Sequence, residues 1–299
     1  MPKILSFDDL MREVQEVPAL RVAVVGATDP SVLEGMCDAA AAGIIDPVLI
    51  GPEDAVLDCV GGVPGAEAFA IVDAPTEEAA AQTGVDLVAS GEVGGLVKGH
   101  VHTAAFMHPV MQKLRTERRV SHVFIVELAT YKKLLMVTDA AVNIRPDLTT
   151  KAAIINNAVS LARCFGLERP KVGCLSSMET VNPAVPSTID AACLAKMADR
   201  NQIPNATVDG PLAFDGAISA ESTRMKGFSS PVSGDVDILL APDIDAGNIL
   251  VKDLEYLANG TLAGIVLGAS APIVLTSRAD PPRSRLLSCA VAAIIAERP

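Results

Sequence analysis

The 299-residue chain has no tryptophan and only two tyrosines, and aromatic side chains make up 3% of it. A core of the size this length allows cannot rest on rings, so Ala, Val, Leu and Ile must fill it. Half of the residues are apolar. An aliphatic interior of that kind suits the buried parallel strands of α/β proteins. Basic residues are also in short supply: 24 Lys and Arg stand against 36 Asp and Glu, a formal net charge of −12. Nucleic acids and anionic membranes need a basic face, so neither is expected as a partner. A phosphate-bearing substrate would need a local positive subsite, while the overall acidity serves solubility. No apolar run approaches the length needed to span a bilayer. Charges are scattered from Met1 to Val14, which is not the pattern of a secretory leader.

The six cysteines form no C-x-x-C and have no His pair at ligand spacing nearby, so a structural zinc is not expected; His100 and His102, two apart, could suggest a metal but lack a clear third ligand, and no metal is assigned. Cys174, Cys193 and Cys289 lie in apolar runs and read as small core residues. The pattern fits a reducing cytosol, hence a cytoplasmic protein. Nucleotide motifs are missing too. VAVVGATDPS, from residue 22, has one glycine where the dinucleotide fingerprint needs three. There is no P-loop and no G-x-S-x-G, no repeat of solenoid period and no low-complexity segment.

What is present is alternation of short β-rich runs with longer Ala-rich segments. Strands are expected at Arg21–Gly26, Asp46–Gly51, Ala68–Asp73 and Gly95–Lys98, with helices at Pro30–Ala42, Thr76–Ser90 and His102–Leu114. This repeated β–α order is that of a doubly wound parallel sheet. His122–Leu128 and Leu134–Thr138 read as two paired strands. Helices follow at Thr149–Phe165, Val185–Arg200 and Gly247–Ala258, strands at Val172–Leu175, Val236–Leu240, Gly264–Leu267 and Ile273–Leu275, and a last helix carries the stripe Leu286, Leu287, Ala290, Val291, Ile294 and Ile295. Glu221–Ser233, with Lys226 and Gly227, is the candidate mobile segment. The length favours two domains over one.

Several constellations sit where strands end, the place at which open α/β sheets bind ligands. PIVLTSRAD, residues 272–280, brings the hydroxyl of Ser277 and the guanidinium of Arg278 to a helix start, a combination suited to phosphate or another small anion. A capped loop with a surface arginine is the plainer account. Asp280 can cap the last helix with Pro281 at its first position, and capping lowers a carboxyl pKa, which suits it poorly as a base. Lys98-Gly99-His100-Val101-His102-Thr103 offers charge and donors for phosphate oxygens, or is ordinary loop chemistry. In Thr138-Asp139-Ala140-Ala141-Val142-Asn143, Asp139 and Asn143 either meet a substrate or hold a turn. Asp243 and Asp245 could bind a divalent metal, but capping of the next helix is the cheaper account. Asp209-Gly210-Pro211-Leu212 reads as a turn.

Taken together, KGHVHT (98–103), VTDAAVNIRPDL (137–148), ETVNPAVPSTIDAACLAKMADR (179–200), VDGPLAFDGAIS (208–219), SPVSGDVDILLAPDIDAGN (230–248) and IVLGASAPIVLTSRAD (265–280) resemble the phosphate acetyltransferase/phosphate butyryltransferase family. TDAAVN and VLTSRAD look closer to the butyryl branch. The resemblance runs from about Arg21 to the C-terminus. It implies a fold like that of isocitrate and isopropylmalate dehydrogenases: two doubly wound α/β domains with an interdomain cleft, one formed by residues 1–124 plus 268–299 and the other by 125–267. It implies the reaction acyl-CoA plus phosphate to acyl phosphate plus CoA with a short acyl group, butyryl or acetyl. CoA is then a co-substrate, no bound cofactor is needed, and the protein is a homodimer or higher homo-oligomer.

By the same resemblance Ser277 and Arg278 are the catalytic pair. His102 and Thr103 belong to the phosphate-side loop, with Lys98, Asn143 and Asp280 as further substrate contacts. Lys226 is a candidate for the nucleotide phosphates of CoA, from its charge and location. Three positions depart from the acetyl branch: Ala140 stands where that branch has a cysteine, His108 where the family has an arginine, and Ser284 where an aspartate serves as the proposed base. Two other readings remain: a nicotinamide-dependent decarboxylating dehydrogenase of the same fold, and a non-catalytic protein that binds CoA or acyl phosphate.

Overall fold

The computed structural model describes residues 2–277 and 280–298. The chain opens with α1 (Phe7–Glu13), β1 (Leu20–Val25), α2 (Pro30–Ala41), β2 (Ile45–Gly51), α3 (Glu53–Gly61), β3 (Ala70–Asp73), α4 (Glu77–Ser90), β4 (Gly95–Lys98) and α5 (Thr103–Lys113). Its middle holds β5 (Ser121–Glu127), β6 (Leu135–Thr138), α6 (Leu148–Cys164), β7 (Lys171–Leu175), α7 (Pro186–Asp199), β8 (Thr207–Leu212), α8 (Phe214–Ile218), α9 (Ala220–Met225), β9 (Ile238–Leu240) and α10 (Ile244–Tyr256). It closes with β10 (Thr261–Leu267), β11 (Ile273–Val274) and α11 (Pro282–Glu297).

These elements form two compact units, Phe7–Val120 with Ala263–Pro299 and Met1–Ser6 with Ser121–Leu262. In the first, the terminal unit, the strand order is β3-β2-β1-β4-β11-β10. All neighbours run parallel except β10 against β11. β1 lies near the centre of this sheet, and Val22 to Val25 are at most 1% exposed. Strands buried on both faces need helices on both sides, which the β–α alternation supplies. The helices start where the sequence provides caps. The Asp29 carboxylate accepts from the Ser31 and Val32 amides with Pro30 at the first position of α2, and Thr76 accepts from Ala79 at the start of α4.

In the middle unit the order is β5-β6-β9-β7-β8. β5 and β6 form the antiparallel pair and the other neighbours are parallel. Val126, Val137, Leu239, Val251 and Leu212 meet in its aliphatic core. At the N-terminal ends of these strands, Asp235 accepts from the ammonium groups of Lys132, Lys133 and Lys171 at 2.9, 3.0 and 2.7 Å. Asp237 takes Lys133 at 2.6 Å and the Lys171 amide at 2.7 Å. Burial pushes the Asp235 carboxyl pKa up, but the three ammonium groups outweigh it and hold the group below the usual range.

The structure differs from the sequence reading at identifiable places. The first residues join the middle unit, not the terminal one, because the Ile4 amide donates to Phe165 O and the Leu134 amide to Leu5 O. Thr207–Leu212 is a strand, not a turn. β8 lies at the edge of its sheet, where Pro211, which has no N–H to donate, is tolerated. The segment from Glu221 to Ser233 begins inside the short helix α9, which Ser219 caps through the Ser222 amide. α10 begins three residues early because Asp243 caps it onto the Ala246 amide at 2.9 Å.

Candidate functional site

In the terminal unit β1, β4 and β11 are parallel neighbours, so their C-terminal loops emerge side by side. The first two loops are laced together through the backbone: the Gly99 amide donates to Val25 O and the His100 amide to Gly26 O, both at 2.8 Å. Glycine is required at the contact. A Cβ on Gly99 would lie 2.4 Å from Gly26 O, and Gly26 itself sits at φ +74°. Lys98 is buried at the end of β4, its Nζ 3.4 Å from Gly99 O. His102 is the N-cap of α5 and Thr103 its first residue, both exposed. Glu77, at the start of α4, accepts from the His102 amide at 2.8 Å and meets its Nδ1 at 2.9 Å. That contact fixes the ring and turns Nε2 away from the carboxylate. His100 Nδ1 stands 3.5 Å from Asp29 Oδ2.

The loop after β11 carries Ser277, which is half-buried, and Asp280, which is 5% exposed. Arg278 lies outside the described residues. The expected cap by Asp280 is corrected here. α11 starts at Pro282 with Pro281 as its N-cap, and the Asp280 carboxylate instead accepts the Ser277 amide at 2.8 Å. The Asp280 amide returns to Ser277 O at 3.2 Å, closing a tight turn. Beneath the turn, Arg285 donates to Ser277 O at 3.4 Å, to Asp280 O, and to Ser31 Oγ at 2.9 Å. Burial lowers its pKa, against the pull of Asp280 and Asp29. Ser284 is 3% exposed in the first turn of α11, and His108 is on the surface beside Gln112.

The middle unit has its own loop cluster, again at strand C-termini. Asp139 is 2% exposed and accepts from the Ala141, Val142 and Asn143 amides and from Asn143 Nδ2 at 2.6 Å. Asn143 therefore uses its amide side chain to hold this turn. Beyond β7 and β9 lies a cavity of about 700 Å³, lined among others by Arg145, Lys151, Ser176, Ser187, Asp190 and Phe214. Lys151 Nζ pairs with Asp190 at 2.7 Å on its floor. Lys226 sits between the carboxylates of Glu179 and Asp215, each 2.7 Å away. Its hydrogen bond, with a smaller one from Ser222, brings the Asp215 pKa down to about 2. Among the described residues no three His, Cys, Asp or Glu side chains are arranged to hold a metal, and no helix is long and apolar enough to cross a membrane.

Thus Lys98, His102, Thr103, Ser277 and Asp280 share one unit and the C-terminal side of its strands, while Asn143 and Lys226 belong to the other unit. Sequence reasoning missed Glu77, Asp29, Arg285 and the cavity's Lys151–Asp190 pair. Arg285 left a trace, as a charge on the otherwise apolar or small face of the last helix. Glu77 left none, because its partner is 25 positions away.

A family model described as Phosphate acetyl/butaryl transferase matches residues 66–293. A phosphate acetyltransferase of Rickettsia typhi is 45% identical over 97% of this chain and 84% of its own. A phosphate butyryltransferase of Clostridium acetobutylicum is 41% identical over 98% of this chain and 99% of its own. The crystal structure of a branched-chain phosphotransacylase from Enterococcus faecalis V583 superposes with a TM-score of 0.83 at 31% identity, covering 94% of this chain and all of that one.

Proposed function

Because the chain belongs to the phosphate acetyl/butyryl transferase family, we propose that it moves a short acyl group between CoA and orthophosphate. The observation that carries this is the match over nearly the whole chain. In one direction a phosphate oxygen attacks the thioester carbonyl and the CoA thiolate leaves. In the other the thiolate attacks the acyl phosphate and phosphate departs. A thiolate is strongly nucleophilic and needs no covalent help from the enzyme. The protein aligns both substrates and supplies donors to the charge that develops on the oxygens.

In this reading Ser277 and Arg278 act at the reacting centre. His102, Thr103 and Lys98 hold phosphate from the neighbouring loop, where the start of α5 adds a favourable dipole. Asp280 acts through the Ser277 amide, and Asn143 through the turn it makes with Asp139. Lys226 meets the nucleotide phosphates of CoA, exchanging its two carboxylates for them. CoA is a co-substrate and no resident cofactor takes part. Metal-dependent dehydrogenation finds less support, since Asp243 is used as a helix cap. Six free cysteines, with Cys174 and Cys289 pushed up to about 12 by burial, suit a reducing cytoplasm. Exposed Ile144, Val181, Ile189 and Ile249 on the middle unit suit a homodimer or higher homo-oligomer.

Similar identity to acetyl- and butyryl-named relatives leaves acyl length to experiment. Free thiol released from acetyl-, propionyl-, butyryl- and longer acyl-CoA, with and without phosphate, tests the function. Phosphate-dependent release with one or more short chains is expected. Release that ignores phosphate, or turnover only with a nicotinamide cofactor, metal and a 2-hydroxy acid, would refute it.

A further inference from the structure

Arg285 is a charged side chain only 2% exposed, on a helix whose neighbouring buried residues are Ser284, Leu287, Ser288 and Cys289. Removing a guanidinium from water is costly, and an apolar side chain of similar volume would avoid that cost. What the guanidinium provides is geometry. Its planar fork reaches three groups from two chain segments: the carbonyls of Ser277 and Asp280, and the hydroxyl of Ser31 in the first turn of α2. Ser31 O lies at 3.5 Å, at the edge of the same fork. The two carbonyls flank residues 278 and 279, so the fork grips both ends of the segment that carries the catalytic pair. Gly35 makes the approach of α2 to α11 possible, since a Cβ there would lie 3.0 Å from Arg285 Cβ.

We propose that Arg285 is a positioning residue for acyl transfer, fixing the Ser277–Asp280 turn against the start of α2 so that the Ser277 hydroxyl meets the transition state in register. The inference rests on the acyltransferase reading of the site. A lysine carries the charge but lacks the second, rigidly spaced nitrogen, so it cannot reach Ser277 O from Nη2 while another nitrogen holds Asp280 O and Ser31 Oγ. A small misplacement of a catalytic group is enough to cost about 100-fold in rate.

The test uses the full chain as wild type, Arg285→Lys, Arg285→Ala and Ser31→Ala. In phosphate-dependent thiol release, Arg285→Lys should lose about 100-fold in kcat, with acyl-CoA KM little changed, and Ser31→Ala should lose less. Added guanidinium chloride should restore part of the Arg285→Ala rate where sodium chloride of equal ionic strength does not. Amide hydrogen exchange of the peptide spanning residues 275–281 reports the turn without any substrate, and should accelerate in Arg285→Lys. If Arg285→Ala does not fold, the lysine and Ser31 variants decide. Wild-type kcat in Arg285→Lys, or exchange identical to wild type, would overturn the proposal. An inactive wild type with faster exchange in Arg285→Lys would instead sink the acyltransferase reading and leave the hold on the turn intact.

Discussion

The two units build their candidate sites by different means. In the terminal unit the loops are shaped by backbone: Gly26 and Gly99 touch, Ser277 and Asp280 close a turn on each other, and one buried guanidinium holds carbonyls. In the middle unit side chains do the shaping, through the Lys151–Asp190 pair and the Lys226 clasp, while the lysine cluster on Asp235 and Asp237 ties the opposite ends of the strands. Backbone contacts place a donor to within a few tenths of an ångström and tolerate no added atom. Ion pairs between flexible side chains can exchange partners, which suits a surface that meets a long, variable ligand. The proposed function assigns chemistry at a fixed point and recognition of an extended co-substrate to different units.

That contrast can be broken or sharpened by substitution. The largest effect is expected for Ser277→Ala, which should lower kcat about 100- to 1000-fold while thermal melting stays at the wild-type value. Next comes Asp237→Ala, which removes a partner from Lys133, a side chain 11% exposed. Urea denaturation should show a loss of about 3 kcal/mol, with kcat preserved. Gly99→Ala puts a Cβ against Gly26 O and should cost about 1–3 kcal/mol in the same assay. Unlike the aspartate change, it should also lower kcat, because the strain falls on the loop carrying His102.

The smallest effect belongs to Lys226→Met. Asp215 has its folded pKa lowered to about 2, so its contribution to stability is full above the unfolded carboxylate pKa of about 4 and is lost as pH falls toward about 2. Both groups are exposed, and screening keeps that contribution small. In Lys226→Met an NMR titration should find the Asp215 pKa moved back up toward the ordinary carboxylate range, with little change in melting at neutral pH. KM for acyl-CoA should rise, and an unchanged KM would remove Lys226 from CoA binding.

Much of the architecture was readable in the sequence because aliphatic strands and Ala-rich helices alternate with clear stops. β4 was located to the residue, and the helices at Pro30 and Thr76 were placed within a residue of their observed starts. β8 was hidden by Gly210-Pro211, which reads as a turn unless the strand is known to lie at an edge. The site was legible as strings of loop residues, and the family resemblance placed roles on them. What the loops lean on was not legible, because Glu77 and Ser31 reach their partners across tertiary distance, 25 and 254 positions away. Asp280 was misplaced for a local reason: an Asp before two prolines looks like a cap, but its carboxylate finds the Ser277 amide instead.

In the proposed reaction the acyl group passes directly between two bound substrates, with the Ser277 hydroxyl as donor and no acyl-enzyme. Exchange of isotopically labelled CoA into acyl-CoA tests it most directly. Without phosphate no exchange is expected, and with phosphate exchange through acyl phosphate is rapid. Label entering acyl-CoA in the complete absence of phosphate would reveal a covalent acyl-enzyme and contradict it.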